Sequence, residues 1–186
     1  MGKIIFDTAS SFNGWIADEN NSLSWLFAVP DDGSAAADLP DAAVLVEGST
    51  TYEWLLAETE MLTRPEKWHE YYADRPTFVF TSRDLPVPAG ADVRFVSGPV
   101  PDLLPVLRHA AGDGDIWIVG GGDLAGQFLD AGALDEIAIT LAPVALTGGA
   151  PLLPRAIGSD RLRLTQARAI GQFVRVRYEV VPAAGG

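Results

Sequence analysis

The order of apolar and polar residues predicts strands and helices that alternate along most of the chain. Short apolar runs rich in β-branched residues predict strands, whereas apolar residues at helical spacing predict helices. The predicted strands span residues 3–9, 43–46, 77–80, 93–96, 116–119, 137–141, 161–170 and 173–181, and the predicted helices span 51–60, 101–111 and the segment between Asp123 and Gly132. This alternation indicates a single α/β domain with a mixed, mostly parallel sheet of about eight strands flanked by helices.

The last two predicted strands differ from the others, because only Gly171 and Gln172 join them. Side chains of the final strand alternate between two faces, with Val174, Val176, Tyr178 and Val180 on one and Arg175, Arg177 and Glu179 on the other. Such alternation is typical of a strand with one face in solvent. The sequence therefore predicts a half-exposed, antiparallel C-terminal hairpin.

The stretch from Asp115 to Pro143 is predicted to form a strand, a glycine turn, a helix and a second strand. Gly120, Gly121 and Gly122 make the turn, and Asp123 is a candidate N-cap of the helix. The free N–H groups and the positive dipole end at a helix N-terminus suit a phosphate. A tight turn without a ligand is the alternative, but each unnecessary glycine costs about 0.5–1 kcal/mol. A Rossmann motif is rejected, because the next strand ends without the acidic residue that this motif requires.

Two further turns at predicted strand ends carry residues that could hold phosphates. Glu47 to Thr51 joins a strand to a helix, and Ser49 or Thr50 could cap that helix. Ser82 and Arg83 follow another strand and could grip a phosphate, although a solvent-exposed arginine is the commoner case. Ligands of open α/β sheets lie outside the carboxyl ends of the strands, so the three turns predict one elongated ligand such as a dinucleotide.

Composition and charge narrow the class of partner. The chain has 186 residues and a net charge of −12, which opposes binding to nucleic-acid backbones and to anionic membranes. No apolar segment is long enough to span a bilayer. The lack of cysteine excludes disulfides and fits a reducing cytoplasm. With only two histidines, both in helix-like surroundings, no metal site is expected. Residues 1–182 are predicted to form one domain, followed by a flexible tail at 183–186.

Three further positions carry candidate chemistry. Asp7 interrupts an apolar predicted strand, so it either reaches a rim of the sheet or serves a site. The aromatic cluster at Trp25–Phe27 belongs either to the core, which composition slightly favours, or to the wall of a pocket for a flat ring. The segment from Pro30 to Leu39 is predicted to be a short helix or a lid.

Three stretches of the sequence resemble the dihydrofolate reductase-like superfamily. The most specific is IVGGGDLAGQFLDAGALDEIAITLAPVALTGGAPLLP, residues 118–154; VEGSTTYEWL, residues 46–55, and ASSFNGWIA, residues 9–17, support it. The closest resemblance is to the branch similar to the C-terminal reductase domain of the bacterial riboflavin-biosynthesis protein. The resemblance implies a dihydrofolate reductase-like fold, NADPH as cofactor with NAD not excluded, a small-molecule substrate and a homodimer.

The resemblance also implies a role for individual residues. The cofactor would contact residues of the three turns and of the first strand, namely Ala9, Ile16, Gly48, Ser49, Thr50, Thr51, Ser82, Arg83, Gly120, Gly121, Gly122 and Leu124. The substrate would lie against Asn13 and Trp25. Asp7 or Asp32 could deliver a proton, directly or through water.

Two positions depart from the family pattern and leave alternatives open. Ser49 stands where the family often has an arginine that favours NADP, and Arg83 is a candidate substitute. Asn13 stands where the family often has an aspartate, and an asparagine cannot act as a general acid. The leading hypothesis is an NADPH-dependent reductase of a small heterocycle, such as a pterin or a pyrimidine. The alternative is a non-catalytic nucleotide-binding or ligand-sensing protein on the same scaffold.

Overall fold

A computed structural model describes residues 1–31, 33 and 39–182 of the chain. Its ten strands are β1 (Ile4–Ser11), β2 (Trp15–Ala17), β3 (Ala42–Gly48), β4 (Thr77–Phe80), β5 (Val93–Val96), β6 (Asp115–Gly120), β7 (Glu136–Ala142), β8 (Ala150–Pro151), β9 (Leu162–Ile170) and β10 (Phe173–Val180). Its five helices are α1 (Ser24–Phe27), α2 (Ser49–Thr59), α3 (Glu66–Tyr72), α4 (Val100–Ala111) and α5 (Gly122–Asp130). The predicted α/β fold class is thereby confirmed, with a single mixed sheet at its centre.

Eight strands form the main sheet in the order β5-β4-β3-β6-β1-β7-β10-β9. Neighbours from β5 to β7 pair in parallel, whereas β10 runs antiparallel to both β7 and β9. The carboxyl ends of β3, β6 and β1 therefore meet at one edge of the sheet. The two remaining strands, β2 and β8, pair as a separate short ribbon beside that edge.

Apolar side chains cover both faces of the sheet, which fits the continuous apolar runs of its parallel strands. One face packs against α4 and α5, where Leu107 and Phe128 are fully buried with Val46 and Ile118 of the strands. The opposite face packs against α2 and α3, and its core consists chiefly of aromatic and aliphatic side chains: Leu45, Tyr52, Leu55, Trp68, Tyr72 and Trp117. Helices on both faces thus hold the strand ends at fixed positions.

Three local predictions need correction. The loop predicted at 147–151 contains β8, and the aromatic cluster forms the short helix α1, in which no residue is buried. In β10 the expected faces are reversed at the start of the strand, because Arg175 is 1% exposed while Val174 is 45% exposed. Burial of this arginine depends on a carboxylate partner two strands away in the sheet, described below. The segment predicted as a short helix or a lid and the predicted tail lie largely outside the described residues.

No helix in the described parts of the chain has both the length and the apolar character that crossing a membrane would require.

Candidate active site

Two glycine turns lie side by side at the carboxyl edge of the sheet. Strands β3 and β6 are neighbours, and Glu47 of β3 is in register with Gly120 of β6. Each strand leads directly into a helix, with Gly48 as the N-cap of α2 and Gly121 as the N-cap of α5. Both N-caps have extended backbone, and no side chain caps either helix. The first-turn N–H groups of both helices therefore face the same region.

A cavity of about 540 Å³ lies between these two turns. Its lining includes Gly48, Ser49, Thr50 and Thr51 from the first turn and Gly120, Gly121, Gly122 and Leu124 from the second. Trp54, Phe80, Ala150 and Pro151 also contribute to the walls. Helix N-termini with uncapped N–H groups are suited to anions. Two of the three turns predicted from the sequence are thus brought together around a single cavity.

The three glycines of the second turn differ in what surrounds them. A Cβ atom on Gly122 would lie 2.3 Å from the carbonyl oxygen of Pro151, and one on Gly120 would lie 2.9 Å from Thr51 Oγ1. A Cβ atom on Gly121 would contact no atom within 4 Å. Packing of the chain therefore explains the small residues at 120 and 122. At 121 the open space belongs to the cavity.

The caps predicted for the two helices are wrong. Asp123 lies in the first turn of α5, where its carboxylate accepts hydrogen bonds from Arg155 at 3.0 Å and from Gln127 at 3.0 Å. These bonds lower the pKa of Asp123. Ser49 is the first residue of α2, so neither it nor Thr50 is the N-cap. In both turns glycine occupies the cap position and leaves the N–H groups without a side-chain acceptor.

A second cavity, of about 680 Å³, adjoins the first. Thr8, Ile16, Leu23 and Val119 line both cavities. The second cavity is mostly apolar, with further walls from Ala9, Leu26, Phe27, Leu39, Trp117 and Phe173. Small-molecule sites are typically concave and apolar with a few fixed polar groups. The two linked cavities can hold an elongated ligand beside a smaller flat one.

Asp7 and Thr140 are buried polar residues in the lining of the second cavity. Arg175 Nη1 donates to Asp7 Oδ1 at 2.7 Å and to Thr140 Oγ1 at 3.0 Å, and Nη2 donates to Asp7 Oδ2. Both members of the ion pair are 1% exposed. A guanidinium that makes two hydrogen bonds stabilises the ionised form of the carboxylate. Asp7 is therefore arranged as a hydrogen-bond acceptor.

Glu47 is fully buried beneath the first cavity. Its Oε2 accepts a hydrogen bond from the hydroxyl of Tyr72 at 3.2 Å, whereas Oε1 has no hydrogen-bond partner among the described residues. Burial raises the pKa of Glu47 to about 8, although the bond from Tyr72 acts in the opposite direction. Burial and the nearby Glu47 also raise the pKa of Tyr72. Glu47 is thus largely a neutral acid at pH 7.

Other residues predicted for the site lie at varying distances from the cavities. Ala9 and Ile16 line the second cavity, and Ile16 also lines the first. Ser82 and Arg83 lie outside both linings, and Arg83 forms two hydrogen bonds with Glu53, at 3.0 and 2.5 Å. The side chains of Arg83 and Glu53 are both largely exposed. Arg83, which the resemblance predicts to contact the cofactor, is thus engaged by a carboxylate of α2.

The two residues predicted to contact substrate do not line either cavity. Asn13 joins two loops, since its Nδ2 donates to the carbonyl oxygen of Leu146 at 2.7 Å and its Oδ1 accepts from the N–H of Leu146 at 3.0 Å. Trp25 is half-buried and donates to the carbonyl oxygen of Ser22, while its neighbours Leu26 and Phe27 form the wall. The favoured core assignment of this cluster is thus corrected to a pocket wall. Asp32 lies outside the described residues.

Sequence reasoning missed Arg175, Thr140 and the Glu47–Tyr72 pair. A signal existed for Arg175, because the carboxylate of Asp7 in a buried strand requires a buried cation. The alternation in β10 concealed it by placing Arg175 on the same face as Arg177 and Glu179. The sequence places Glu47 in a turn, and nothing in its spacing distinguishes it from a solvent-exposed acid.

Comparison with known proteins is consistent with this geometry. The family model of the RibD C-terminal domain matches residues 2–176. The uncharacterized protein YwjB of Bacillus subtilis (strain 168) is 29% identical over 178 residues, which cover 95% of this chain and 97% of YwjB. A provisionally assigned riboflavin biosynthesis protein from Shewanella sp. PV-4 has a similar structure, with a TM-score of 0.74 and 26% identity over 97% of this chain and 99% of that one.

Two more distant structures share the fold. The deaminase/5-amino-6-(5-phosphoribosylamino)uracil reductase of Thermotoga maritima has a TM-score of 0.67 at 14% identity, with 97% of this chain and 57% of that chain covered. Dihydrofolate reductase from Enterococcus faecalis, in complex with NADP(H), has a TM-score of 0.61 at 17% identity, with 96% of both chains covered. The resemblance to the dihydrofolate reductase-like superfamily is thus confirmed.

Proposed function

The chain belongs to the RibD C-terminal domain family, and on that premise we propose that it is a nicotinamide-dependent reductase of a small heterocyclic molecule. One observation carries the proposal: two uncapped helix N-termini meet at one cavity, and a second, mostly apolar cavity shares a wall with it. The first cavity would hold the dinucleotide and the second the substrate. The dinucleotide, when bound, supplies a hydride.

The residues of the first cavity fit a pyrophosphate. Anionic oxygens bind well to uncapped N–H groups at a helix N-terminus, and the turns at Gly48 and Gly121 supply two sets of them. The open space at Gly121 lets a ligand approach the backbone closely. This arrangement compensates for the unfavourable net charge of −12 by local dipoles and N–H groups.

The shared wall would bring the reactive ring and the substrate together. Thr8, Ile16, Leu23 and Val119 border both cavities, so a ring at their junction touches the contents of each. Apolar walls exclude water, and water exclusion strengthens the few polar contacts that orient the substrate. Asp7 and Thr140 are those contacts in the second cavity. The chain thus acts chiefly by binding the two reactants, orienting them and excluding water from them.

A titration of the purified protein with NADPH and with NADH tests the proposal. Binding is measured by calorimetry and by tryptophan fluorescence, since Trp54 and Trp117 line the cavities. We expect at least one dinucleotide to bind in the micromolar range, and oxidation of the bound form to be accelerated by a pterin or pyrimidine substrate. Absence of binding by both dinucleotides contradicts the proposal.

The second candidate is a non-catalytic nucleotide-binding or ligand-sensing protein on the same scaffold. The pairing of Asp7 with Arg175 favours it, because a carboxylate held in its ionised form is a poor proton donor. Dinucleotide binding without turnover across a panel of pterins and pyrimidines would support this candidate. Turnover of any member would exclude it.

The expected homodimer is part of the proposal and is tested by sedimentation equilibrium. The cytoplasmic location inferred from composition stays a prediction, to be examined by fractionation of cells that produce the protein.

A further inference from the structure

The walls of the second cavity contain an unusual distribution of charge. Asp7 and Asp31 line it, and no cationic side chain lines it among the described residues. The sequence at 32 and 34–38 contains no lysine, arginine or histidine. Between Lys3 and Arg64, every ionisable side chain other than tyrosine is acidic. This stretch includes β1, β2, α1 and β3, which form much of the wall around both cavities.

The nearest cation to the cavity is already balanced. Arg175 is 1% exposed and its guanidinium donates to both oxygens of Asp7 as well as to Thr140. The ion pair is neutral as a whole, and an anion that recruited Arg175 would leave Asp7 as an uncompensated buried charge, which costs several kcal/mol. Arg175 therefore does not provide a phosphate site.

The remaining features of the cavity fit a flat, uncharged ring. Trp117 and Phe173 are buried aromatic walls, and Trp117 is held in place because its Nε1 donates to the main-chain oxygen of Asp7 at 2.9 Å. A carboxylate can accept several hydrogen bonds, and a hydroxyl that accepts one can still donate its hydrogen. Asp7 and Thr140 thus form an edge that suits N–H and C=O groups side by side on a ring.

We propose that the substrate of this site is a flat heterocycle with N–H groups and without a phosphate or other anionic arm. The proposal rests on the function proposed above and specifies its substrate class. Phosphate groups are bound in proteins chiefly by arginine, lysine or uncapped N–H groups. In this chain the two glycine turns that offer such N–H groups border the first cavity. A phosphoribosyl substrate, as named for the Thermotoga maritima protein, has no comparable partner among the described residues that line the second cavity.

Matched ligand pairs test the substrate class by binding. Uridine is compared with uridine monophosphate, and hydroxymethylpterin with its phosphate ester, by calorimetry with and without a saturating dinucleotide. We expect each phosphate-free member to bind at least about tenfold more tightly than its partner, a difference of about 1.4 kcal/mol. Equal or tighter binding of the phosphates overturns the proposal. Failure of every ring compound to bind also overturns it.

A variant that adds a positive charge at the second cavity provides an independent test of the substrate class. Leu39 lines the second cavity and is 48% exposed, so Leu39→Arg adds a cation at the cavity with little risk to folding. We expect it to improve binding of the phosphate esters several-fold relative to that of the uncharged rings. Leu62→Arg is the matched control, because Leu62 is 45% exposed and lies outside both linings. If Leu39→Arg improves binding of the phosphate esters no more than Leu62→Arg does, the proposal that the cavity rejects phosphates for lack of a cation is contradicted.

A wrong substrate class and a wrong reductase assignment give different experimental results. If a dinucleotide binds but the phosphate esters are preferred, the reductase stands and the substrate class is wrong. If neither dinucleotide binds, the reductase itself is wrong, while the ligand pairs measured without dinucleotide still decide which ligands the second cavity accepts.

Discussion

Arg175 of β10 reaches across β7 to form two hydrogen bonds with Asp7 of β1, so this ion pair joins strands that are not neighbours in the sheet. On the intervening strand, Thr140 is in register with Arg175 and accepts a third hydrogen bond from it. The pair therefore fixes the spacing of three strands directly below the second cavity. Its energetic role can be measured by removing each partner.

We expect Arg175→Met to destabilise the protein by about 3–5 kcal/mol, because it leaves Asp7 as an unpaired buried charge. The double variant Asp7→Leu with Arg175→Met should recover most of that loss, since no charge is then buried alone. Urea unfolding measures both effects. Arg163→Met is the control: it removes the exposed pair with Glu179 on the adjacent strands, and should cost no more than about 1 kcal/mol. Equal losses for Arg163 and Arg175 would contradict a buried, coupled pair.

The raised pKa of Glu47 predicts a pH dependence of stability. The folded protein keeps the proton on Glu47 up to about pH 8, whereas the unfolded chain releases it near the ordinary value of 4.5. The folded state therefore binds more protons across this window, and its free energy of unfolding falls as the pH rises, with a slope approaching about 1.4 kcal/mol per pH unit. Above pH 8 this contribution levels off.

Glu47→Gln should remove this pH-dependent contribution to the free energy of unfolding. The stability of the variant relative to the natural protein should therefore increase from about pH 5 to pH 8. Urea unfolding at several pH values measures the difference. Glu58→Gln serves as the control, because Glu58 is an exposed residue of the same helix, α2. Parallel pH profiles for the natural protein and Glu47→Gln would show that Glu47 is ionised in the folded state.

The glycines at 121 and 122 should respond in opposite ways to the addition of one methyl group. Gly122→Ala should destabilise the protein by more than about 2 kcal/mol, because its Cβ would lie 2.3 Å from the oxygen of Pro151. Gly121→Ala should change stability by less than about 1 kcal/mol, since its Cβ meets no protein atom within 4 Å.

Gly121→Ala should nevertheless weaken dinucleotide binding by about tenfold or more, because the methyl group occupies the approach to the α5 N-terminus. Thermal unfolding and calorimetry on the same preparations separate the two effects. Unchanged affinity in Gly121→Ala would place the pyrophosphate elsewhere.

Glu53 should control which dinucleotide is preferred, since it engages the guanidinium of Arg83. In Glu53→Gln the arginine keeps its charge without a competing carboxylate, so binding of the extra phosphate of NADPH should improve several-fold while NADH is little affected. Arg83→Ala should remove that gain. Arg94→Ala is the control, because Arg94 has a similar exposed partner in Asp92. Equal effects on both dinucleotides would separate Arg83 from cofactor choice.

Asn13→Asp should loosen the two loops that Asn13 joins. The aspartate has no N–H to donate to the carbonyl oxygen of Leu146 and would place a charge against it. We expect a loss of about 1–2 kcal/mol in the free energy of unfolding. Asn20→Asp, at an exposed position in the same loop region, should change stability little. An unchanged free energy of unfolding for Asn13→Asp would mean that the hydrogen bonds between Asn13 and Leu146 contribute little to stability.

The hydrophobic pattern predicted most of the sheet, because strands such as β4 and β5 are short apolar runs between clear breaks and their bounds are as expected. It also predicted two glycine turns, since glycine followed by a helical apolar repeat is local in sequence. What it could not predict was that β3 and β6 are adjacent, which places Gly48 beside Gly121. Adjacency depends on the order of strands, and no local pattern encodes it.

The pattern failed where a polar contact outweighed the alternation of side chains. Arg175 lies on the same face of β10 as Arg177 and Glu179, as expected, but at Arg175 this face is buried against Asp7 and is not in solvent. The aromatic cluster was expected in the core, yet Leu26 and Phe27 of α1 line the second cavity, whereas Trp25, which the family resemblance placed beside the substrate, does not. The burial of Arg175 depends on a contact between residues far apart in the chain, whereas Trp25 forms a local hydrogen bond with Ser22.

The wall shared by the two cavities makes their ligands thermodynamically dependent on each other. Thr8, Ile16, Leu23 and Val119 must adopt one arrangement that serves both occupants. Whichever ligand enters first bears the entropic cost of fixing those side chains, and the second enters a wall that is already ordered. The factor by which one ligand raises the affinity of the other is the same in both directions. Cooperativity between the two would thus arise from four ordinary side chains, with no movement of the sheet.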